Sequence, residues 1–208
     1  MAEVVMIDFY TAATPNGRKV AIMLEELGVP YTKHMVDLKS GDQKKPEFLA
    51  MNPNGRIPVI VDHAADGDLP VFESAAILYY LAEKYNGKFF GSDLKERTSA
   101  MQWMMFQMSG VGPNFGNLYY GKNSMTPHNP GFIERFEKES RRIIGVLELA
   151  LEKSEYLAGS HYTIADMTTY PWIAAKLQMA PEMFSEAPRV KQWAQKISER
   201  PAVQKAMA

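Results

Sequence analysis

Thr14-Pro15-Asn16-Gly17 places a hydroxyl, a proline and a carboxamide where an apolar run gives way to a helical pattern. The first amides of a helix lack partners within it, and the aligned peptide dipoles add positive potential, so such a point favours an anion. A thiolate held there would gain from both, with the side chains of Thr14 and Asn16 as added hydrogen-bond partners. A free thiol has a pKa near ~8.5, and lowering it by two takes roughly 3 kcal/mol of preference for the anion. A helix start with one or two good donors supplies that much. The same residues also read as a plain helix start, with Thr14 capping and Asn16 facing water.

Arg56-Ile57-Pro58 and Glu73-Ser74 form two further points. A proline opening a strand after a turn is a candidate cis bond, although most X–Pro bonds are trans. If Pro58 were cis, the Ile57 backbone would face outward, able to pair with an extended peptide. Ser74 reads as a helix N-cap beside an acid. Helix amides and Ser74 suit a carboxylate while Glu73 suits an ammonium, which together match an amino-acid head group; a cap with an incidental acid is the plainer alternative. A fourth point is Gly110 to Phe115, with Tyr119, Tyr120, Lys122 and Arg135 nearby. Its Gly-Val-Gly follows a helix and not a strand, so it is no dinucleotide fingerprint. Met101, Met104, Met105 and Met108 before it are spaced for one helix face, as core, subunit interface or an adaptable wall.

The elements around these points read in two halves. Val4 to Tyr10 is a buried strand, and Val20, Met23, Leu24 and Leu27 stripe a helix that Thr14 opens and Gly28-Val29-Pro30 closes. Tyr31 to Val36 is a second strand. Pro46 to Met51 is a short helix before Asn52-Pro53-Asn54-Gly55. Val59 to Val61 and Leu69 to Phe72 form a hairpin about Asp66-Gly67, with Pro70 restricted to an edge. A helix follows from Ser74. After the polar stretch Asn86 to Asp93 strand signals end. Gly110-Val111-Gly112-Pro113 must kink or end the Met-rich helix. Phe132, Phe136, Ile143, Leu147 and Leu151 mark a long helix. Thr163-Ile164-Ala165-Asp166 has capping-box spacing, and shorter helices follow around Trp193 and after Pro201. The pattern predicts an α/β domain over 1–87, a linker at 88–92 and an all-α domain over 93–208.

Composition narrows the chemistry. Lys and Arg total 23 against 24 Asp and Glu, which excludes an electrostatic footprint for nucleic acid or an acidic membrane surface. No apolar run approaches the ~20 residues that span a bilayer, and the start of the chain does not read as a signal peptide, so a cytoplasmic protein is expected. The four histidines are scattered and no Ser-His-Asp motif occurs, so neither a metal site nor a serine hydrolase is expected. Cysteine is absent, so any sulfur chemistry must use a sulfur brought by a bound molecule.

Taken in order, Thr14-Pro15-Asn16, then Asn52-Pro53-Asn54-Gly55-Arg56-Ile57-Pro58, then Phe72-Glu73-Ser74-Ala75-Ala76-Ile77, then a helical half with Thr163-x-x-Asp166, resemble the glutathione transferase family over nearly the whole chain. Ala13 to Gly17, with Gly41-Asp42-Gln43 and Gly110 to Pro113, are most similar to its nu class, which contains bacterial enzymes and is similar to a fungal nitrogen regulator. The resemblance implies a thioredoxin-like N-terminal domain, an all-α helical bundle and a homodimer. It implies a cis Pro58, with Ile57 pairing the cysteinyl backbone of glutathione and Glu73 and Ser74 holding its γ-glutamyl end. Gln43 and Arg56 would lie towards the rest of the tripeptide, Arg135 would reach in from the helical domain, and Thr14 and Asn16 would sit near the sulfur. Tyr10 ranks below Thr14 there, because it precedes the helix start. The resemblance also implies reduction of a small disulfide by glutathione, with conjugation to electrophiles as the alternative activity and a non-catalytic glutathione-binding regulator as a third reading. The second substrate would lie near Met104, Met108, Phe115 and Tyr119.

Overall fold

Strand β1, Ile7–Thr11, buries Ile7, Phe9 and Thr11 on one face and leaves Asp8 and Tyr10 half-buried on the other, the period of two that a sheet with unequal faces imposes. The computed structural model describes residues 6–64 and 67–208, so Val4, Val5 and Asp66 of the expected strand and turn lie outside the described residues. β2 (Thr32–Met35) pairs with β1 in parallel, β3 (Val59–Asp62) pairs with it antiparallel, and β4 (Leu69–Phe72) pairs antiparallel with β3. The order β2-β1-β3-β4 puts Pro70 on an edge strand, where a missing N–H costs no ladder bond.

Helix α1, Pro15–Leu27, follows β1. Thr14 is its N-cap, and its hydroxyl oxygen accepts from the Gly17 N–H at 3.2 Å. Gly28 ends it at φ 68°, a left-handed conformation that glycine adopts without a Cβ clash. Val20, Met23 and Leu24 are fully buried, each worth roughly 1.5–3 kcal/mol relative to exposure. Gly17 answers a close approach: a Cβ there would lie 2.4 Å from both the Ala12 carbonyl oxygen and Thr11 Oγ1. Gly17→Ala is therefore expected to destabilise the protein by about 1–3 kcal/mol, the range for overpacking. Chemical denaturation checks this, and an unchanged midpoint would count against so tight a junction of strand and helix.

Helix α2, Pro46–Met51, covers the other sheet face. Phe48 packs with Val36 and Val59, and with the half-buried Tyr10, Met51 and Ile57. Helix α3, Ser74–Lys84, packs beside α1 and buries Ile77, Leu78 and Leu81. Its cap differs from the sequence expectation. Glu73 occupies the N-cap position at φ 68°, with no side-chain capping bond, and Ser74 is the first helical residue. The final helix α9, Pro201–Met207, lies against α1, where Arg18 donates to the Met207 carbonyl oxygen at 3.3 Å and Lys205 pairs with Glu25 at 2.7 Å. The chain accordingly divides into residues 1–88 with 201–208, and residues 89–200. The tail that the sequence pattern placed in the helical half packs on α1, in the unit that holds the sheet.

The second unit is helical. α4 (Leu94–Phe106) passes through a π-helical turn at Gln107–Val111 into α5 (Gly112–Asn123). The widened turn accommodates Pro113, which has no N–H to contribute and sits at the start of α5. Burial differs across the methionine stripe: Met104 is buried and Met105, about 100° further round the helix, is 49% exposed. α6 (Pro130–Leu151) is capped by Asn129 and buries Ile143, Leu147 and Leu151. Its Glu148 accepts from the Arg189 and Val190 amides at 3.0 and 2.9 Å, placing a carboxylate on the positive end of α8 (Pro188–Ser198). α7 (Ile164–Met179) starts at the expected capping box, with Asp166 accepting from the Thr163 amide at 2.9 Å.

Candidate active site

Strand register brings the separate motifs of the first unit to one end of the sheet. Tyr10 lies opposite Val59, Val59 opposite Phe72, and Thr11 opposite Met35. Thr14 follows Thr11, Pro58 immediately precedes Val59, Glu73 immediately follows Phe72, and the segment carrying Gln43 follows Met35. Motifs about sixty residues apart in sequence thus open on the same edge, past the carboxyl ends of β1 and β2, where open α/β sheets place their ligands.

At the start of α1, the half-buried Thr14 hydroxyl accepts the Gly17 N–H and keeps its own hydrogen for a further acceptor. Asn16 is half-buried one residue into the helix. Tyr10 is held differently. Its ring stacks on His34 with centroids 4.6 Å apart and meets Phe48 edge-on at 6.4 Å. Burial, and then the Asp8 carboxylate, push its pKa up from the ordinary phenol value, which keeps it protonated. Its side chain belongs to the face covered by α2, whereas α1 starts beyond the strand end.

The Ile57–Pro58 bond is cis, as the resemblance implied. Ile57 is half-buried and packs on the Val36, Phe48 and Val59 cluster. The loop before it is held by Asn52, which is 2% exposed: its Nδ2 donates to the Arg56 carbonyl oxygen at 2.7 Å and its Oδ1 accepts from the Asn54 amide at 3.0 Å. Lys44 Nζ reaches the Asn54 carbonyl oxygen at 3.2 Å. Arg56 itself is exposed. Gln43 donates through Nε2 to the Leu38 carbonyl oxygen at 3.4 Å, while its buried Oε1 has no partner, which leaves an acceptor able to take a ligand donor.

Glu73 is exposed in a backbone conformation that a non-glycine residue holds at a cost of about 1–3 kcal/mol, and such positions cluster at ligand clamps. Ser74 is buried, and Lys19 of α1 donates to its Oγ at 3.3 Å. Lys19 is 1% exposed, and burial lowers its pKa to about 7 against the opposing pull of Glu73. The sequence pattern passed over Lys19. The signal was its position four residues before the buried Met23, on a helix face where a solvated lysine has no room. It also read Asn52 only as part of a turn.

The residues expected from the helical half are differently placed. Met104 and Phe115 are core side chains, 1% and 2% exposed, and Lys176 Nζ lies 5.3 Å from the Phe115 ring centroid. Met108 is half-buried, Tyr119 is 50% exposed, and Arg135 is exposed on α6 with its guanidinium 5.8 Å from the Phe136 ring. Among the described residues, no group of three or more His, Cys, Asp or Glu is arranged to hold a metal ion, and no helix is long and apolar enough to cross a membrane.

A thioredoxin-like sheet joined to a helical bundle, with its motifs gathered at one sheet end, defines the glutathione transferase fold. The family model of the glutathione S-transferase N-terminal domain matches residues 13–84, and that of the C-terminal domain matches residues 132–201. The chain is 42% identical over 205 residues to the disulfide-bond oxidoreductase YfcG of Escherichia coli, covering 97% of this chain and 94% of that protein. It is 37% identical to the disulfide-bond oxidoreductase YghU of the same organism, over 96% of this chain and 73% of the relative. A crystal structure of a glutathione transferase family member from Pseudomonas fluorescens, with two glutathione bound, superposes with a TM-score of 0.91 at 40% identity, covering 97% of this chain and 92% of that one. The chain belongs to the glutathione S-transferase family.

Proposed function

We propose that this protein is a nu-class-like glutathione transferase that reduces small disulfides with glutathione. The observation that carries the reading is the shared sheet end. The helix start at Thr14, the Ile57–Pro58 cis bond and the Glu73-Ser74 turn stand at three points along one edge, as an extended tripeptide requires. Thr14 donates its hydrogen to the thiolate of glutathione, with Asn16 beside it. Ile57 pairs with the cysteinyl backbone. Glu73 and Ser74 take the ammonium and carboxylate of the γ-glutamyl end, and Gln43 Oε1 and Arg56 meet the remainder of the tripeptide. Within the helical unit, Met108 and Tyr119 supply surface for the second substrate, Met104 and Phe115 lie in the core of the same unit, and Arg135 is an exposed cation on it.

In the reaction, the thiolate attacks one sulfur of the disulfide. A glutathione–substrate mixed disulfide forms, the substrate's S–S bond breaks, and the departing thiolate takes a proton from water. A second glutathione thiolate attacks the glutathione sulfur of the mixed disulfide, giving glutathione disulfide and the second substrate thiol. The two electrons come from two glutathione molecules. The protein contributes no sulfur, consistent with a chain of 208 residues without cysteine. It works in the cytoplasm, since the cycle needs a compartment rich in reduced glutathione, and as the homodimer that the family resemblance implies.

The test is glutathione-dependent reduction of a small model disulfide, coupled to glutathione reductase and NADPH, beside conjugation of a chloronitrobenzene by the same preparation. Fast reduction with slow conjugation is expected. The reverse result would make the protein a conjugating transferase, and glutathione binding without either activity would make it a binding or regulatory protein. Ser74→Ala is expected to weaken glutathione binding by about 10–100-fold through one lost charge-assisted bond, with kcat at saturation changed much less. Unaltered affinity in calorimetry would remove Ser74 from the γ-glutamyl site.

A further inference from the structure

Burying an ammonium is unfavourable unless something in its surroundings uses the charge. Lys19 is 1% exposed in the middle of α1, and its Nζ lies 3.3 Å from Oγ of Ser74, the first residue of α3. Glu73, one residue earlier, is exposed and held at positive φ. A zwitterionic amino-acid head group meets at this point an acid on the surface, a hydroxyl at a helix start and a cation directly behind that hydroxyl. Resting on the glutathione reading above, we propose that Lys19 is a positioning residue for the γ-glutamyl carboxylate: it fixes Ser74 Oγ as its own acceptor, which turns the serine hydrogen towards the ligand, and it supplies the positive charge that the carboxylate is bound against.

The charge state of Lys19 follows from its setting. Burial lowers its pKa to about 7, and Glu73 acts in the opposite direction. Of the other charged groups on the elements around α1, Arg18 donates to the Met207 carbonyl oxygen, Lys84 of α3 pairs with Asp62, and Lys205 of α9 pairs with Glu25. A carboxylate arriving at Ser74 favours the ammonium, so the bound form holds the proton to higher pH than the free form. Lys19 therefore takes up a proton when ligand binds above pH about 7. Affinity is highest below that pH and falls by at most about tenfold per pH unit above it, until the pKa of the bound form is reached.

The experiment is isothermal titration of S-methylglutathione, which has no titratable thiol, into wild type, Lys19→Met and Lys19→Arg. It is run from mildly acidic to mildly alkaline pH in buffers of different ionisation enthalpy. Subtracting the variants from wild type cancels protons exchanged by the ligand itself. Wild type is expected to show excess proton uptake that both variants lack. Lys19→Met should bind about 30-fold or more weaker at the acidic end, with its affinity difference from wild type shrinking as pH rises. Lys19→Arg, always charged, should bind with near wild-type affinity at the acidic end and no steeper loss than the ligand's own titration imposes. Equal proton uptake in wild type and either variant would overturn the proposal, and the arginine variant alone decides it if the methionine variant does not fold. Wild type that binds no S-methylglutathione would instead overturn the glutathione reading itself.

Discussion

Thr14→Ala is expected to lower kcat for disulfide reduction by about 10–100-fold while leaving glutathione affinity within a few-fold of wild type. The magnitude is that of one hydrogen bond to an anion, about 1.5–3 kcal/mol, lost from the thiolate and the transition state derived from it. On the proposed binding mode affinity is spared, because Ile57, Glu73 and Ser74 would hold the tripeptide along its length without Thr14. The substitution also removes the cap on α1, where Oγ1 accepts from Gly17 at 3.2 Å, so a stability loss of about 1 kcal/mol accompanies it. Thr14→Ser separates the two effects, since it keeps both the cap and the donor and should retain most of the turnover. The ultraviolet absorbance of the bound thiolate, followed against pH, reports the step directly: the pKa of bound glutathione should rise in Thr14→Ala and not in Thr14→Ser. Unchanged kcat in the alanine variant would remove Thr14 from the mechanism and turn attention to Asn16 and the backbone amides of the first turn.

What the sequence made legible was local. Thr14 and Gly28 declare the two ends of α1 because each residue type solves a backbone problem within one turn of itself, and the box at Thr163 and Asp166 does the same for α7. Edge placement of Pro70 followed from a missing donor. The misses share a different cause. Glu73 is the cap of α3 in a conformation disfavoured for its residue type, so no propensity could have pointed to it ahead of Ser74. Lys19 reads as a solvated residue until α3 is placed over it. α9 looked like one more helix of the bundle because nothing within Pro201–Met207 names its partner; the contacts of Arg18 and Glu25 with it join residues far apart in the chain. The expected break at Gly110–Pro113 takes the form of a π-helical turn at Gln107–Val111 between α4 and α5, a geometry that the local pattern does not name. As for the site, its motifs were legible as points of chemistry, and only strand register joined them into one edge.

The largest stability effect is expected in the helical unit, at Asp166. Its side chain is fully buried, and its two oxygens accept from four donors: the Leu157 amide at 3.0 Å and the Trp193 indole N–H at 2.9 Å on Oδ1, and the Thr163 amide at 2.9 Å and Thr163 Oγ1 at 3.2 Å on Oδ2. One carboxylate therefore starts α7, fixes the turn at Leu157 and anchors Trp193 of α8. Alanine would leave the Leu157 and Thr163 amides and the Trp193 indole without an acceptor in a place water does not reach. Each such donor costs about 1–3 kcal/mol, and partial relaxation brings the sum to about 3–5 kcal/mol. In a chain of this size that lowers the melting temperature by roughly 10 °C or more. Asp166→Asn keeps one acceptor oxygen and replaces the other with a donor facing donors, so it should fall short of wild type as well. Trp193→Phe removes a donor together with its need for an acceptor and should cost less than Asp166→Ala. In the double variant the two losses should sum to less than their separate values, because the indole no longer needs the carboxylate. Melting curves of the wild type and the four variants, followed by tryptophan fluorescence where Trp193 remains and by circular dichroism throughout, measure these differences. Strict additivity would mean that the carboxylate and the indole act independently, and that α8 is held to α7 by apolar packing alone.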